Sequence, residues 1–197
     1  MHGRRWSREE GLANLDSADR RRLQDPQSFW REVGLRPRDI VADVGAGTGF
    51  FAIPAATLLA GSGTVYAIDI SEELVELLRE RKIEHALDNL VPVHSKVDRI
   101  PLDSSVADIV LLANVLHDIP PATLAEAIRL LKPGGRLVNT DWKKVETPGG
   151  PPLHIRLNET EATERIVAGG LVRERVWNFG AHHYVIEFRK PGTPSTP

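Results

Sequence analysis

The ten residues Val41-Ala-Asp-Val-Gly-Ala-Gly-Thr-Gly-Phe50 constrain this chain more than any other stretch. An apolar run leads into Asp43 and then meets glycine at alternate positions, Gly45, Gly47 and Gly49. Glycine reaches backbone angles that a Cβ forbids, and it lets a ligand come close to the main chain. The helical pattern that follows, Phe51-Ala-Ile-Pro-Ala-Ala-Thr-Leu-Leu-Ala60, puts the turn at a strand-to-helix junction of the kind that holds nucleotides. Dinucleotide-binding turns want G-x-G-x-x-G or G-x-G-x-x-A, with a small third residue where helix and strand pack. Phe50 stands at that third place, and the extra glycine arrives one residue early. The spacing favours a nucleoside without phosphates over a pyrophosphate.

Three further landmarks follow in order. Gly63-Thr-Val-Tyr-Ala-Ile-Asp69-Ile-Ser71 is a β-rich run ending on an acid, about twenty residues after the glycines. Ala107-Asp-Ile-Val-Leu-Leu-Ala-Asn-Val-Leu-His-Asp118 reads as a buried strand and the loop after it, and Leu131-Lys-Pro-Gly-Gly-Arg-Leu-Val138 as a helix–turn–strand junction. With these four landmarks in sequence between residues 39 and 141, the chain resembles the class I S-adenosylmethionine-dependent methyltransferases, in their small, single-domain, UbiE-like (methyltransferase-11) branch.

Alternating strand and helix signals between residues 37 and 141 predict an α/β fold with a mainly parallel sheet. Strands are expected at 40–44, 64–69, 90–94, 107–113 and 136–141, and helices at 50–60, 71–87 and 121–131. Ser71 can cap the second of these helices, with Glu72 and Glu73 suited to its positive end. Beyond a Pro/Gly-rich loop at 147–152, a helix is expected over 158–168, then strands at 171–177 and 183–189 joined near Gly180. The resemblance implies a Rossmann-like, doubly wound sheet of seven strands in the order 3-2-1-4-5-7-6, with strand 7 antiparallel. Residues 1–36 read as an N-terminal helical segment outside the core, with short helices at 17–24 and 26–33. Residues 37–190 form the methyltransferase domain of this reading, and 191–197 a flexible tail.

Composition narrows the function. A chain of 197 residues suffices for one domain with a sizeable core. No apolar run approaches the ~20 residues that span a bilayer, and the charged N-terminus shows no apolar signal core, so a cytoplasmic location is expected. A net charge of −2 gives no bulk attraction to nucleic acid, although Arg20-Arg21-Arg22 is a local basic cluster. Without cysteine there is no disulfide, thiolate metal site or sulfur nucleophile. His154, Arg156 and the His182-His183 pair match no metal-binding spacing, and no metal is expected.

The resemblance assigns roles residue by residue. Asp69 would accept hydrogen bonds from the ribose diol of S-adenosylmethionine, and Ile70 would lie against the adenine. The turn of Gly45, Ala46, Gly47 and Gly49, with Asp43, would adjoin the amino-acid end. Relatives carry an Asp after the third strand to accept from the adenine amino group. Lys96 holds that place here and can only donate, so backbone groups of Lys96 and Val97 would serve, or Asp98 would swing in. Asn114 would touch the cofactor from the loop after the fourth strand. His117 and Asp118 on that loop, and Asp141 at the end of the fifth strand, are the candidate catalytic residues. His117-Asp118 could equally cap a helix.

In-line methyl transfer draws on alignment and exclusion of water more than on side-chain chemistry, so such a site hides its acceptor. The expected enzyme transfers a methyl group to a small-molecule acceptor and leaves S-adenosylhomocysteine, with a partner protein completing the site as the variant of that reading. Two other classes stand beside it. One is a non-catalytic S-adenosylmethionine-binding module. The other is a nicotinamide-dependent oxidoreductase, against which Phe50 and the absence of a Tyr-x-x-x-Lys relay both count.

Overall fold

The computed structural model describes residues 6–16, 20, 24–147 and 149–192. Seven strands build one sheet: β1 (Ile40–Val44), β2 (Thr64–Asp69), β3 (Leu90–His94), β4 (Ala107–Ala113), β5 (Leu131–Trp142), β6 (Val172–Phe179) and β7 (His183–Arg189). Their order is β3-β2-β1-β4-β5-β7-β6, and β7 runs antiparallel to both β5 and β6. This is the sheet the resemblance implied.

Both faces of the sheet are covered, which is why its central strands read as nearly unbroken apolar runs. Alternation divides them. Val41, Ile109, Leu111, Val138 and Val185 enter one core, whereas Ala42, Val110, Leu112, Leu137, Tyr184 and Ile186 enter the other. The first core is closed by α2 (Pro26–Val33) and α3 (Ala52–Leu59), through Phe29, Trp30, Phe51, Ala55 and Leu59. The second is closed by α5 (Pro121–Leu130) and α6 (Glu159–Val167), through Leu124, Ala127, Ala162 and Ile166. The helix α4 (Glu72–Glu84) packs on β2 and β3, and Ser71 caps it as expected, its hydroxyl accepting from the Leu74 amide. Asn158 and Glu161 form a reciprocal capping box at α6, fixing its start where the sequence placed it.

Two departures have physical causes. β5 begins at Leu131 rather than 136, because Leu131 pairs with Ala107 before an irregularity at Pro133-Gly134-Gly135 resets the register to Ile109 opposite Arg136. In the N-terminal segment, α1 (Arg8–Leu15) was not expected, since it has no apolar stripe. It starts on a Ser7–Glu10 capping box and docks on α4 through polar contacts. The segment before residue 36 is also not outside the core. Phe29, Trp30 and Val33 are almost wholly buried, and the Trp30 indole N–H donates to the Phe51 carbonyl at 2.9 Å. The expected helix at 17–24 and the expected tail at 191–197 lie mostly outside the described residues.

Candidate active site

The glycine turn sits where β1 ends against β2. Gly45, Gly47 and Gly49 all have positive φ, at 81°, 57° and 86°. A Cβ on Gly45 would lie 2.7 Å from Val115 Cγ1, so the turn is tight because the loop after β4 presses on it. The amides of Gly45 and Ala46 both donate to the Ile68 carbonyl, at 2.8 and 2.9 Å, and that of Gly49 to Ala46. The Gly47 amide donates to Asp69 Oδ2 at 2.8 Å. A phosphate cradle works through unspent N–H groups aimed at the anion. These four amides are spent inside the protein, which agrees with a ligand lacking phosphates.

Asp69 ends β2 beside this turn. Its second oxygen accepts from the Ser71 amide at 2.9 Å, and burial raises its pKa despite the donated amides. A carboxylate has about four acceptor directions, so two remain for a diol. The loop after β3 runs alongside, tied by the Ser95 amide to the Asp69 carbonyl. In that loop the Lys96 amide donates to Arg99, and the Val97 carbonyl accepts from the Thr123 hydroxyl. The Lys96 carbonyl accepts from the Arg99 amide, so three of the four backbone groups expected to face adenine are already engaged. Ile70 is half-buried.

Asp43 is buried, with Oδ1 lacking a partner among the described residues. Burial, then the charge of Asp69, pushes its carboxyl up to about 7, and Arg20 acts against both. Asn114 adopts a left-handed φ of 57°, its amide donating to the Thr140 carbonyl at 2.8 Å. Its Oδ1 too is buried and without a partner among the described residues.

His117 and Asp141 come together from β4's loop and β5's end. His117 Nδ1 lies 3.0 Å from each Asp141 oxygen, and the Trp142 amide donates to Asp141 Oδ1 at 2.8 Å. Burial lowers the imidazole pKa, but the hydrogen bond and charge of Asp141, with the charge of Asp118, outweigh it, and the net shift is upward. Asp118 therefore acts on His117 through its field. Its amide closes a turn onto the Val115 carbonyl.

Sequence reasoning missed the roles of four residues here. Arg81 of α4 holds Thr48 of the glycine turn through its carbonyl at 2.7 Å and Asp16 at 2.6 Å. Arg20, noticed only as part of a basic cluster, lays its guanidinium 4.1 Å from the Phe50 ring centroid. His183, noticed only as a poor metal ligand, is buried against Trp142. Arg156 donates to four backbone carbonyls, of Lys143, Val145, Gly149 and Pro151, and so organises the loop after β5. Among the described residues no three His, Asp or Glu side chains cluster to hold a metal, and no helix is long and apolar enough to cross a membrane.

A Rossmann-like sheet with a glycine turn, an acid ending β2 and buried polar groups at the carboxyl ends of β1, β4 and β5 defines a nucleoside-dependent transferase. Residues 42–139 match the family model described as "Methyltransferase domain". A SAM dependent methyltransferase from Aquifex aeolicus is 31% identical, with a TM-score of 0.85 over 90% of this chain and 96% of that one. The chain belongs to the S-adenosylmethionine-dependent methyltransferases. The ubiquinone/menaquinone biosynthesis C-methyltransferase UbiE of Brucella canis is 30% identical over 141 residues, 70% of this chain and 52% of that protein. The chain spans about half the length of the curated relatives it matches. The [4+2]-cyclase SpnF, at 18% identity and a TM-score of 0.73, shares the fold.

The site fits S-adenosylmethionine on an observation of its own. Asp43 Oδ1 and Asn114 Oδ1 are buried acceptors without partners among the described residues, beside a turn whose amides are spent. An ammonium and a ribose diol bring donors, whereas a pyrophosphate brings only acceptors.

Proposed function

We propose that this protein transfers a methyl group to a small-molecule acceptor whose attacking atom must shed a proton, and that His117 takes that proton. The carrying observation is the contact of His117 Nδ1 with both oxygens of buried Asp141. With Nδ1–H held by a carboxylate, Nε2 bears the lone pair and can act as general base. S-adenosylmethionine supplies an electrophilic methyl group on a sulfonium. The chain's own residues bind and orient: Asp69 with Ile70 at the ribose and adenine, Asp43 and Asn114 at the ammonium end, Val97 and Lys96 at the adenine edge. The new bond joins the methyl carbon to the acceptor atom, the sulfonium bond breaks, and the acceptor's proton goes to His117 Nε2.

The activity named for the Brucella relatives is C-methylation, which replaces a C–H by a C–CH3 bond and so releases a proton; a reaction of that type suits this base. Residues 37–190 serve in this reading as the catalytic domain, and the N-terminal segment covers the glycine turn. The test combines calorimetric titration with S-adenosylhomocysteine and transfer of labelled methyl to a panel of phenols, amines and carbon acids. Stoichiometric binding that weakens in Asp69→Ala, with transfer lost in His117→Ala while binding persists, supports the reading. Transfer that survives His117→Ala unchanged removes the base.

A further inference from the structure

We propose that Arg165 is a positioning residue for the His117–Asp141 pair, holding the loop that carries His117 so that Nδ1 meets Asp141 and Nε2 stays free for the acceptor's proton; this rests on the base assigned above and says what keeps it in place.

The loop between β4 and α5 has little of its own to hold it. The amides of Asp118 and Ile119 both donate to the Val115 carbonyl, at 2.9 and 3.0 Å, and Pro120 and Pro121 have no N–H to give. The carbonyls of Leu116 and Ile119, on either side of His117-Asp118, take no backbone donor among the described residues. Leu116 is wholly buried, and a buried carbonyl without a donor is costly. Arg165 supplies both bonds: Nη1 donates to the Leu116 carbonyl at 2.6 Å and Nη2 to the Ile119 carbonyl. A guanidinium presents its donors in a rigid fork, so it fixes the separation of two carbonyls with His117 between them.

The helix α6 fastens that fork to the strand that carries Asp141. Ala162 and Ile166 are wholly buried in the same core as Leu116. Glu161, one turn before Arg165 on the same helix face, pairs at 2.7 Å with Lys144, three residues beyond Asp141. Just before the helix, the Leu157 carbonyl accepts from the Tyr184 hydroxyl at 3.1 Å, and Tyr184 is the cross-strand neighbour of Asp141. The N-terminal end of α6 thus sits on the β5–β7 pair, and its last turn on the His117 loop. The Lys144–Glu161 pair is exposed enough to contribute little energy. Arg165 is half-buried and joined to two carbonyls of one loop, so it is the contact that matters for His117.

Two other roles are open to a guanidinium here, a bare charge or a brace for α6 alone, and His117 reports which holds. The charged groups around the imidazole are Asp141 at the end of β5, Asp118 on its own loop, Arg156 after β5 and Arg165 of α6. Removing a cation raises an imidazole pKa, whereas loosening its bond to a carboxylate lowers it. A brace for α6 changes neither.

Ligand-free protein, isotope-labelled in its histidine ring nitrogens, is titrated by NMR across neutral pH, with the His117 signals identified by their loss in His117→Ala. In the wild type Nδ1 should carry the proton and Nε2 the lone pair, with an inflection above about 6.5. Arg165→Met, which keeps length and packing but no donor, should populate both tautomers and lower the inflection by about 0.5 pH unit or more, about threefold in proton affinity. Arg165→Lys, which keeps the charge and can reach one carbonyl at a time, should fall between them, and it carries the test if the Met variant does not fold. In an Asp141→Asn background, Arg165→Met should move the inflection by less than about 0.2 unit, since the contact it maintains is already gone. A wild-type tautomer and inflection in Arg165→Met, an inflection that rises, or an equal shift with and without Asp141 overturns the positioning role. Failure of wild-type His117 to hold its proton at Nδ1 counts against the base reading instead, and the coupling between Arg165 and Asp141 still decides the positioning.

Discussion

A hydrogen bond at Nδ1 determines which nitrogen of His117 can take a proton, and Asp141 is placed to make it. The residue must be neutral to act, and its pKa lies above the ordinary imidazole value. The rate should therefore rise with pH through an inflection above about 6.5. In Asp141→Asn the raising contacts are lost while burial remains, so the inflection should move downward and kcat should fall about 10²-fold or more. A pH–rate profile of both proteins, with affinity for S-adenosylhomocysteine as the control, checks this. Asp43 makes the opposite kind of statement, about stability. Its pKa is about 7 when folded and near 3.8 when not. Between those values the folded chain holds a proton that the unfolded chain has lost, so stability is fully present below about 4 and is lost as pH rises towards 7. Asp43→Asn mimics the protonated acid and should flatten that slope, by roughly 4 kcal/mol at most. Urea unfolding of the ligand-free proteins at pH 5 and pH 8 measures the difference. An unchanged slope would mean that Asp43 is not the group responsible.

The helix α1 is an element that propensity alone would not form. It is eight residues long, and isolated helices shorter than about 12 residues are marginal in water. Its start is capped by Ser7 and Glu10, and the Ser71 hydroxyl of α4's cap donates to the Trp6 carbonyl at 2.7 Å. Arg8 pairs with Glu80 across the helix interface, but both side chains are about half exposed and contribute little. The Arg81–Asp16 pair at the other end of α1 is different, with side chains only 16% and 8% exposed. Removing Arg81 takes one cation from buried Asp16 and frees the Thr48 carbonyl together, so Arg81 couples the N-terminal segment to the glycine turn. Arg81→Ala should cost about 3 kcal/mol in denaturant unfolding and weaken S-adenosylhomocysteine several-fold. A loss of stability without any change in affinity would show that α1 braces the fold and leaves the turn untouched.

At the scale of the whole molecule, the sheet edge that carries Asp43, Asp69, Asp141 and His183 buries these polar groups, and that edge makes the protein sensitive to acid. His183 stays neutral in the folded chain down to a pH of about 3, whereas the unfolded chain binds the proton near 6.5. Its contribution is therefore fully present above 6.5 and is lost as pH falls towards 3. His183→Phe should shift the acid-unfolding midpoint to lower pH, read by circular dichroism. A midpoint that stays in place would assign the acid sensitivity to other groups. The same edge marks the limit of what a linear reading reaches. The turn, Ser71 as a cap, the helix starting about Asn158 and Asp69 as the acid at the strand end were legible from contacts within a few residues or from a strand's own alternation, whereas the sheet order came with the family resemblance. The glycines announce themselves because positive φ is a local demand. The tertiary structure alone decided that Arg81 would clasp residues 33 positions before it and 65 before it, that His117 would meet Asp141, and that His183 would be buried against Trp142. Burial and electric field are sums over the whole fold, and no stretch of sequence contains them.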